Sequence, residues 1–421
     1  GADTEIRVEQ NITYTENLEV PATFNSGSLA ILGGWDATFS TRDPDPEHTV
    51  LDGGATWRVL EIAITGGSFL IDGFTLTNGV GSGAGIFISQ AAVTNTAHIV
   101  IRNNWVAENH LLQQPAADGG GINAVLNGTM RLEILDCLVY ANTATTWNQG
   151  SARGGGLFFF LRGNSSILVE GCDIHENSVE SDGGSRMAGG MFLETQDDST
   201  GVVRDTFLFG NSILGTGTSE GSGGFFRTHE GSSMEVVQSG WAANEVDGGD
   251  ATPQLVIEGL RESSLRMADS GLAQGDAGGL DILAASTAIV HLVNMTVADH
   301  PGTGILATQE DTSTLAIYNT IAYGNGTDLT TSGTVDTGSN LVGVDPLFVD
   351  PTTLDYYLTE GSPAENMGDN YPPGGLSPVD VEGSSRVVDG IVDIGFAEGI
   401  DVIFACSFET GDISTWVDDG A

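Results

Sequence analysis

Two residue markers keep one beat through the middle of this chain, and together they leave few folds open. Asn109, Asn142, Asn177, Asn211 and Asn244 recur at intervals of 33, 35, 34 and 33 residues, each closing a short β-like run such as WVAEN or LVYAN. Gly-rich openings precede Ile86, Ile122, Leu157, Met191 and Phe225 at steps of 36, 35, 34 and 34. Two markers locked to one period mean a solenoid of stacked supersecondary units. Helical repeats of similar length are excluded, because segments such as MRLEIL and SILVEG alternate apolar and polar residues with period two. The rung length suits three short strands joined by two tight corners and one loop. The expected fold is therefore all-β, a right-handed parallel β-helix with three short strands per rung. A cap is expected at the N-terminus, since a bare end rung exposes its apolar cross-section and unpaired strand edges.

The beat also divides the chain. Residues 1–58 read as an N-terminal cap with the first irregular turns, 59–330 as rungs, 331–400 as a C-terminal closing module and 401–421 as a tail. Segments 110–118, 143–153, 178–188 and 212–222 all fall between a ladder Asn and the next Gly opening. Stacking must project them side by side as one ridge. Later rungs are shorter: the openings at Gly278-Gly279 and Gly302 lie 24 residues apart. Insertions on one face of a solenoid are usually its working surface, so the ridge is where contacts are expected. The ladder Asn residues, Asn325 included, read as scaffold. An inward corner amide can bond its own turn and the equivalent Asn of the neighbouring rungs.

Composition narrows the partners. The chain carries 57 acidic residues against 13 cations, all of them Arg, for a net charge of −44. Nucleic acid and anionic membranes need cationic patches and are excluded as partners. Calcium binding, tolerance of high salt and a repulsive, soluble secreted surface remain. No run of 18 apolar residues is present, so no transmembrane segment is expected, and the start at Gly-Ala-Asp suggests a mature form whose signal peptide was removed. Cys137 and Cys172 each lie five residues before a ladder Asn. They therefore stack on adjacent rungs, as two buried thiols or a disulfide.

The Gly opening and Asn rung ending resemble bacterial right-handed parallel β-helix repeat proteins. The C-terminal stretch resembles more specifically the choice-of-anchor Q type module that closes surface β-helix proteins. That pattern falls here on Asp345 to Phe348, Tyr357 and Leu358, Gly361 to Ala364, Arg386, and Asp393 with Gly395. IFACSFETGDISTW resembles a short C-terminal motif of secreted bacterial proteins, with departures at Thr410 and Ile413. The resemblance implies secretion and surface display but no single activity, since this architecture carries lyases, hydrolases and adhesins.

Four candidate sites follow. The residue after each Gly opening forms a second ladder: Phe87, Asn123, Phe158, Phe192 and Phe226. Facing outward, these rings would make a sugar-binding strip beside Arg162, Trp147 and Arg186; facing inward, they are a core stack. Glu194, Asp198, His229 and Glu230 are the candidates for a catalytic carboxylate pair, with surface solvation as the plain alternative. Arg153, Arg162, Arg186 and Arg227 could neutralise an acidic substrate in a lyase that lacks Lys. Calcium could sit at Asp43, Asp45 and Glu47, at Asp247 and Asp250, or at Asp345, Asp350 and Asp355. The leading expectation is a non-catalytic, secreted or cell-surface protein that binds or builds extracellular polysaccharide material through the ridge. A polysaccharide lyase or glycoside hydrolase beside the ridge is the alternative, and self-association a third.

Overall fold

A computed structural model describes residues 3–88, 94–247, 252–388 and 390–398. The chain is a right-handed parallel β-helix built almost entirely of strands. The runs after the Gly openings stack into an eleven-stranded parallel sheet from Leu18–Val20 to Thr327–Ser332. The next two strands of each rung, for example Arg131–Leu135 and Leu138–Tyr140, stack into two further columns. These columns merge wherever one strand runs through the bend, as in His98–Ala107 and Ser264–Ala273. Alternate residues point inward. Ile122, Ala124 and Leu126 thus stack on Leu157, Phe159 and Leu161, all fully buried. Each such Leu, Ile or Phe side chain contributes about 1.5–3 kcal/mol. No helix among the described residues is long and apolar enough to cross a membrane.

Single left-handed residues make the corners. One column, Asp136, Gly171, Asp205 and Gln238, has φ of 51, 66, 47 and 51°. A second immediately precedes the ladder: Glu108, Ala141, Glu176, Gly210 and Ala243, with φ of 54, 52, 54, 59 and 50°. A left-handed non-glycine residue costs roughly 1–2 kcal/mol, and in the second column the buried Asn behind it offsets that cost. Asn142 shows how. Its Oδ1 accepts from the Asn109 backbone N–H (3.1 Å) and side-chain Nδ2 (2.9 Å), while its own Nδ2 donates to Val106 O at 2.7 Å and Asn177 Oδ1 at 2.9 Å.

The Asn and Gly beats turn out to be one device. A Cβ added to Gly121, Gly156 or Gly190 would lie about 3.0–3.1 Å from the amide of Asn142, Asn177 or Asn211. The bare Cα of each opening makes the room that the next ladder amide fills.

At the N-terminus the segment expected to hold the first irregular turns does form the first rung. Thr4–Glu9, Ile12–Thr15 and Leu18–Val20 pair in parallel with Ser28–Trp35, Thr49–Asp52 and Leu60–Ile62. The period-two alternation of these segments lets them enter the columns. The turn-rich stretch from Asp36 to His48 packs beside the coil instead, pinned by Arg42, which donates to Gly33 O (2.8 Å) and Asp72 Oδ1 (2.9 Å).

At the other end the coil continues to Leu341–Val342, and the chain then folds back along its flank. The motif residues of the C-terminal module pack together there. The Phe348 ring meets Tyr356 edge-on at 5.1 Å, the Ser362 hydroxyl donates to Pro346 O at 2.7 Å, and Ile394 N–H donates to Ala364 O at 3.0 Å. Arg386, 1% exposed, is the hub and reaches Asp269 at 3.2 Å and Glu398 at 3.7 Å. Cys137 and Cys172 are free and buried, and burial pushes the Cys172 thiol pKa up.

Candidate functional site: a groove beside an ordered fin

The ridge segments are strands rather than loose loops. His110–Leu112, Thr143–Thr146, the first part of Ser178–Met187, Ser212–Glu220 and Glu245–Val246 pair in parallel. Ala116–Asp118, Ser151–Arg153 and the end of Ser178–Met187 return beside them. The result is a fin with its own small core of Leu111, Ala144, Val179 and Ile213 against Ala117 and Ala152. Each outgoing core residue lies two positions after a ladder Asn, a spacing that the sequence does carry.

The fin settles the parity of the Phe ladder. Phe158, Phe192 and Phe225 point away from the coil, with ring centroids 5.1 and 5.3 Å apart and planes within 14°. They are nevertheless 4%, 1% and 0% exposed, because Met187 and Ala188 of the returning strand close over them. The expected member Phe226 faces the opposite way, into the coil core. Gly224, not Phe225, pairs with Met191 on the inward row, so the register places Phe225 beside Phe192. Trp241 takes up the space that Gly224 leaves, its Nε1 3.2 Å from where a Cβ would sit.

The next outward row is the groove floor. Val125, Phe160, Glu194, Arg227, Glu258 and Leu283 align rung by rung. One wall is the returning face of the fin, where Arg153 grips Asp118 through two bonds of 2.8 Å and stacks 4.8 Å from Phe158. The other wall is a turn that carries Arg162, Gln196 and His229. Arg162 lies 4.5 Å from the Phe160 ring centroid. Arg227 donates to Glu258 at 2.5 Å and reaches Glu194 at 3.7 Å; Gln196 donates to Glu194 at 2.6 Å. His229 stands 3.8 Å from Glu194, and burial lowers its pKa. At the far end, burial and then the Glu258 charge raise the carboxyl pKa values of Glu220 and Asp281.

The other candidates scatter. Asp198 is exposed in its turn, and Glu230 pairs with Arg261 outside the groove. Trp147, 42% exposed, marks the fin tip. Arg186 is not a surface group: it is fully buried within the fin, donating to Gly215 O at 2.6 Å and Gly217 O at 2.7 Å. The residue takes the inward fin position of Ala117 and Ala152, and glycines opposite leave it space.

The acidic residues considered for calcium organise their own turns. Asp45 caps a short 3-10 helix through Glu47 N–H at 3.0 Å, Asp350 caps another through Thr352 N–H at 3.1 Å, and Asp43 lies 3.3 Å from His48. Asp345 and Asp355 accept from Leu347 N–H (2.9 Å) and Tyr357 N–H (3.2 Å). Asp247 is exposed at the end of the fin, and Asp250 lies outside the described residues. Among the described residues no three Asp, Glu, His or Cys side chains are arranged to hold a metal ion. No family model matches the chain, and no curated protein matches it.

Proposed function

We propose that this is a secreted or cell-surface protein that binds an extracellular polysaccharide along the groove, without turning it over. The observation that carries the reading is the in-register floor row from Val125 to Leu283, which runs along the coil axis and is walled by the fin. A row that repeats with the rungs suits a ligand that itself repeats. Arg162, stacked on the Phe160 ring, and the partly exposed Gln196, Arg227 and His229 supply donors and acceptors for sugar hydroxyls and carboxylates. Hydrolysis needs one carboxyl free to give a proton and another free to attack or activate water. Glu194 and Glu258 instead share one cation, Arg227, which favours binding over catalysis. Surface display rests on the acidic, Lys-free composition and on the motif resemblance of the C-terminal module.

An array of acidic and neutral polysaccharides, read for retention and for release of unsaturated or reducing ends, tests this. Phe160→Ala and Gln196→Ala should each weaken retention about tenfold, equivalent to about 1.4 kcal/mol, whereas Trp147→Ala at the fin tip should not. Retention of no polysaccharide would sink the proposal, and so would release of chain ends that Glu194→Gln abolishes.

A further inference from the structure

The 13 arginines of this chain face 57 acidic residues. On such a surface an arginine is drawn to the nearest carboxylate, and all but two of them hold an Asp or Glu side chain in an ion pair. Of those two, Arg186 is buried in the fin and donates to Gly215 O and Gly217 O. The other is Arg162. Among the described residues its guanidinium meets no carboxylate and no carbonyl; it is exposed and lies 4.5 Å from the centroid of the Phe160 ring. The acids of the next rung are turned elsewhere. Glu194 accepts from Gln196 and faces Arg227 and His229, while Asp197 Oδ2 accepts from Gly163 N–H at 3.1 Å. The groove thus holds a cation that the protein itself leaves unneutralised, in a chain of net −44.

We infer that Arg162 recognises an anionic group on the polysaccharide, so that the ligand is an acidic one carrying a carboxylate or a sulfate ester. The inference rests on the groove reading above and adds the charge class of the ligand and the residue that selects it. Backbone pairing sets Arg162, Gln196 and His229 on successive rungs, since Gln196 N–H donates to Leu161 O and His229 N–H to Thr195 O, both at 2.9 Å. A group held by Arg162 therefore belongs to a polymer that runs on past Gln196 and His229. The planar guanidinium offers paired donors that match two oxygens of a carboxylate or sulfate. Stacking on Phe160 already restrains it, so less side-chain freedom is lost when the anion arrives. The opposite end of the groove suits no such group. Glu220, Glu258 and Asp281 gather there, with Arg227 already held by Glu258 and Glu194. Acids elsewhere on the coil repel a polyanion at long range, but at 0.15 M salt the screening length is about 8 Å and a contact pair outlasts that repulsion.

Matched pairs of immobilised polymers test this with the full chain at about 0.15 M salt: alginate against carboxyl-reduced alginate, and dextran sulfate against dextran. Wild type should be retained about fivefold more strongly by the acidic member of a pair, the upper end for one exposed ion pair. Which pair responds tells a carboxylate from a sulfate ester. Arg162→Gln should remove the preference and keep the affinity for the neutral member. Arg162→Lys should keep part of it, because the charge stays while the planar fork is lost. Arg131→Gln, on a different strand column and exposed beside Glu133, should leave the preference unchanged. Equal retention of both members of each pair by wild type, or a preference that persists in Arg162→Gln, overturns the inference and leaves the groove reading standing. Retention of no polymer, acidic or neutral, sinks both.

Discussion

The corner ladder crosses two regions of the coil, and they build it differently. In the long rungs, from Asn109 to Asn244, every corner amide is Asn and every facing residue is Gly. In the short rungs the hydrogen-bonded chain does not stop; it changes its parts. Asn244 Nδ2 donates to Gln254 Oε1 at 2.8 Å, Gln254 Nε2 meets His300 Nε2 at 2.8 Å, and His300 Nδ1 meets Asn325 Oδ1 at 3.0 Å. At the first of these corners the roles are exchanged. Gly275 stands two residues after Ala273, as Asn244 does after Ala242, while Gln254 occupies the place of an opening glycine. A Cβ on Gly275 would lie 2.5 Å from Gln254 Cγ. The comparison teaches that the corner requires one amide-sized donor and acceptor and one bare Cα opposite. Which strand carries which is free.

The largest effect comes from breaking the uniform half. Asn177 Oδ1 takes the Asn142 N–H and Nδ2 at 3.0 and 2.9 Å, and its Nδ2 serves Val139 O and Asn211 Oδ1 at 2.8 and 3.0 Å. Asn177→Ala strands several buried groups at 1–3 kcal/mol each, so about 4 kcal/mol should be lost in denaturant unfolding. Amide exchange should accelerate first at the flanking corners. A loss below about 1 kcal/mol would mean that water replaces the amide and that the ladder is not what holds the corners.

How much of this the sequence disclosed depends on whether a residue repeats at a constant offset. The Asn and Gly beats do, and the parallel coil with its inward rows follows from them. The fin core repeats equally well, with Leu111, Ala144, Val179 and Ile213 each two residues past a ladder Asn. That signal is carried by small and mixed residues, so it looks like a loop. Phe226 was misleading because its rung drops one residue before the opening, and parity reverses with every single-residue slip. The exchanged corner escapes any periodic search, since Gln254 follows Asn244 by only ten residues and reaches the ladder from the opposite strand. The groove row is legible only after the register is known, because Phe160, Glu194, Arg227 and Glu258 repeat no single residue type.

Exchange of roles can itself be tested by exchanging them back. Gln254→Gly removes the amide, and Gly275→Asn forces a side chain against Gln254; each alone should cost roughly 3 kcal/mol through orphaned groups or overpacking. The double variant recreates the Asn and Gly pair of the long rungs and should recover most of the loss. A double-mutant cycle showing simple additivity would remove the equivalence drawn between the two halves.

His300 brings a titratable base into the ladder of the short half, where every long-rung corner amide is Asn. Its Nε2 faces the Gln254 amide donor and its Nδ1 faces the Asn325 carbonyl, so the neutral Nδ1–H form fits and the charged form does not. Burial is the main cause of a pKa lowered from 6.5 to about 4. The folded value lies below the unfolded one, so the contribution is complete above pH 6.5 and is lost as pH falls towards 4. At 1.36 kcal/mol per unit it amounts to at most on the order of 3 kcal/mol. Wild type and His300→Asn should therefore converge in stability on acidification across that window. Parallel curves would assign the acid sensitivity elsewhere.

The end of the ladder should give the smallest response. Asp328 Oδ1 accepts from Asn325 N–H and Nδ2, both at 3.0 Å, which is the role an Asn carbonyl fills at each long-rung corner. If only the acceptor matters, Asp328→Asn preserves both bonds and removes one negative charge from a chain of net −44. Its stability should stay within about 0.5 kcal/mol of wild type, as for surface substitutions generally. Chelation supplies the control. The Asp45, Asp345, Asp350 and Asp355 carboxylates are occupied by their own turns, so the melting temperature should be the same in EDTA as in added calcium. A marked loss in Asp328→Asn, matched by a fall in EDTA, would show that the last corner is closed by an ion and not by an amide equivalent. The short half would then differ from the long half in kind.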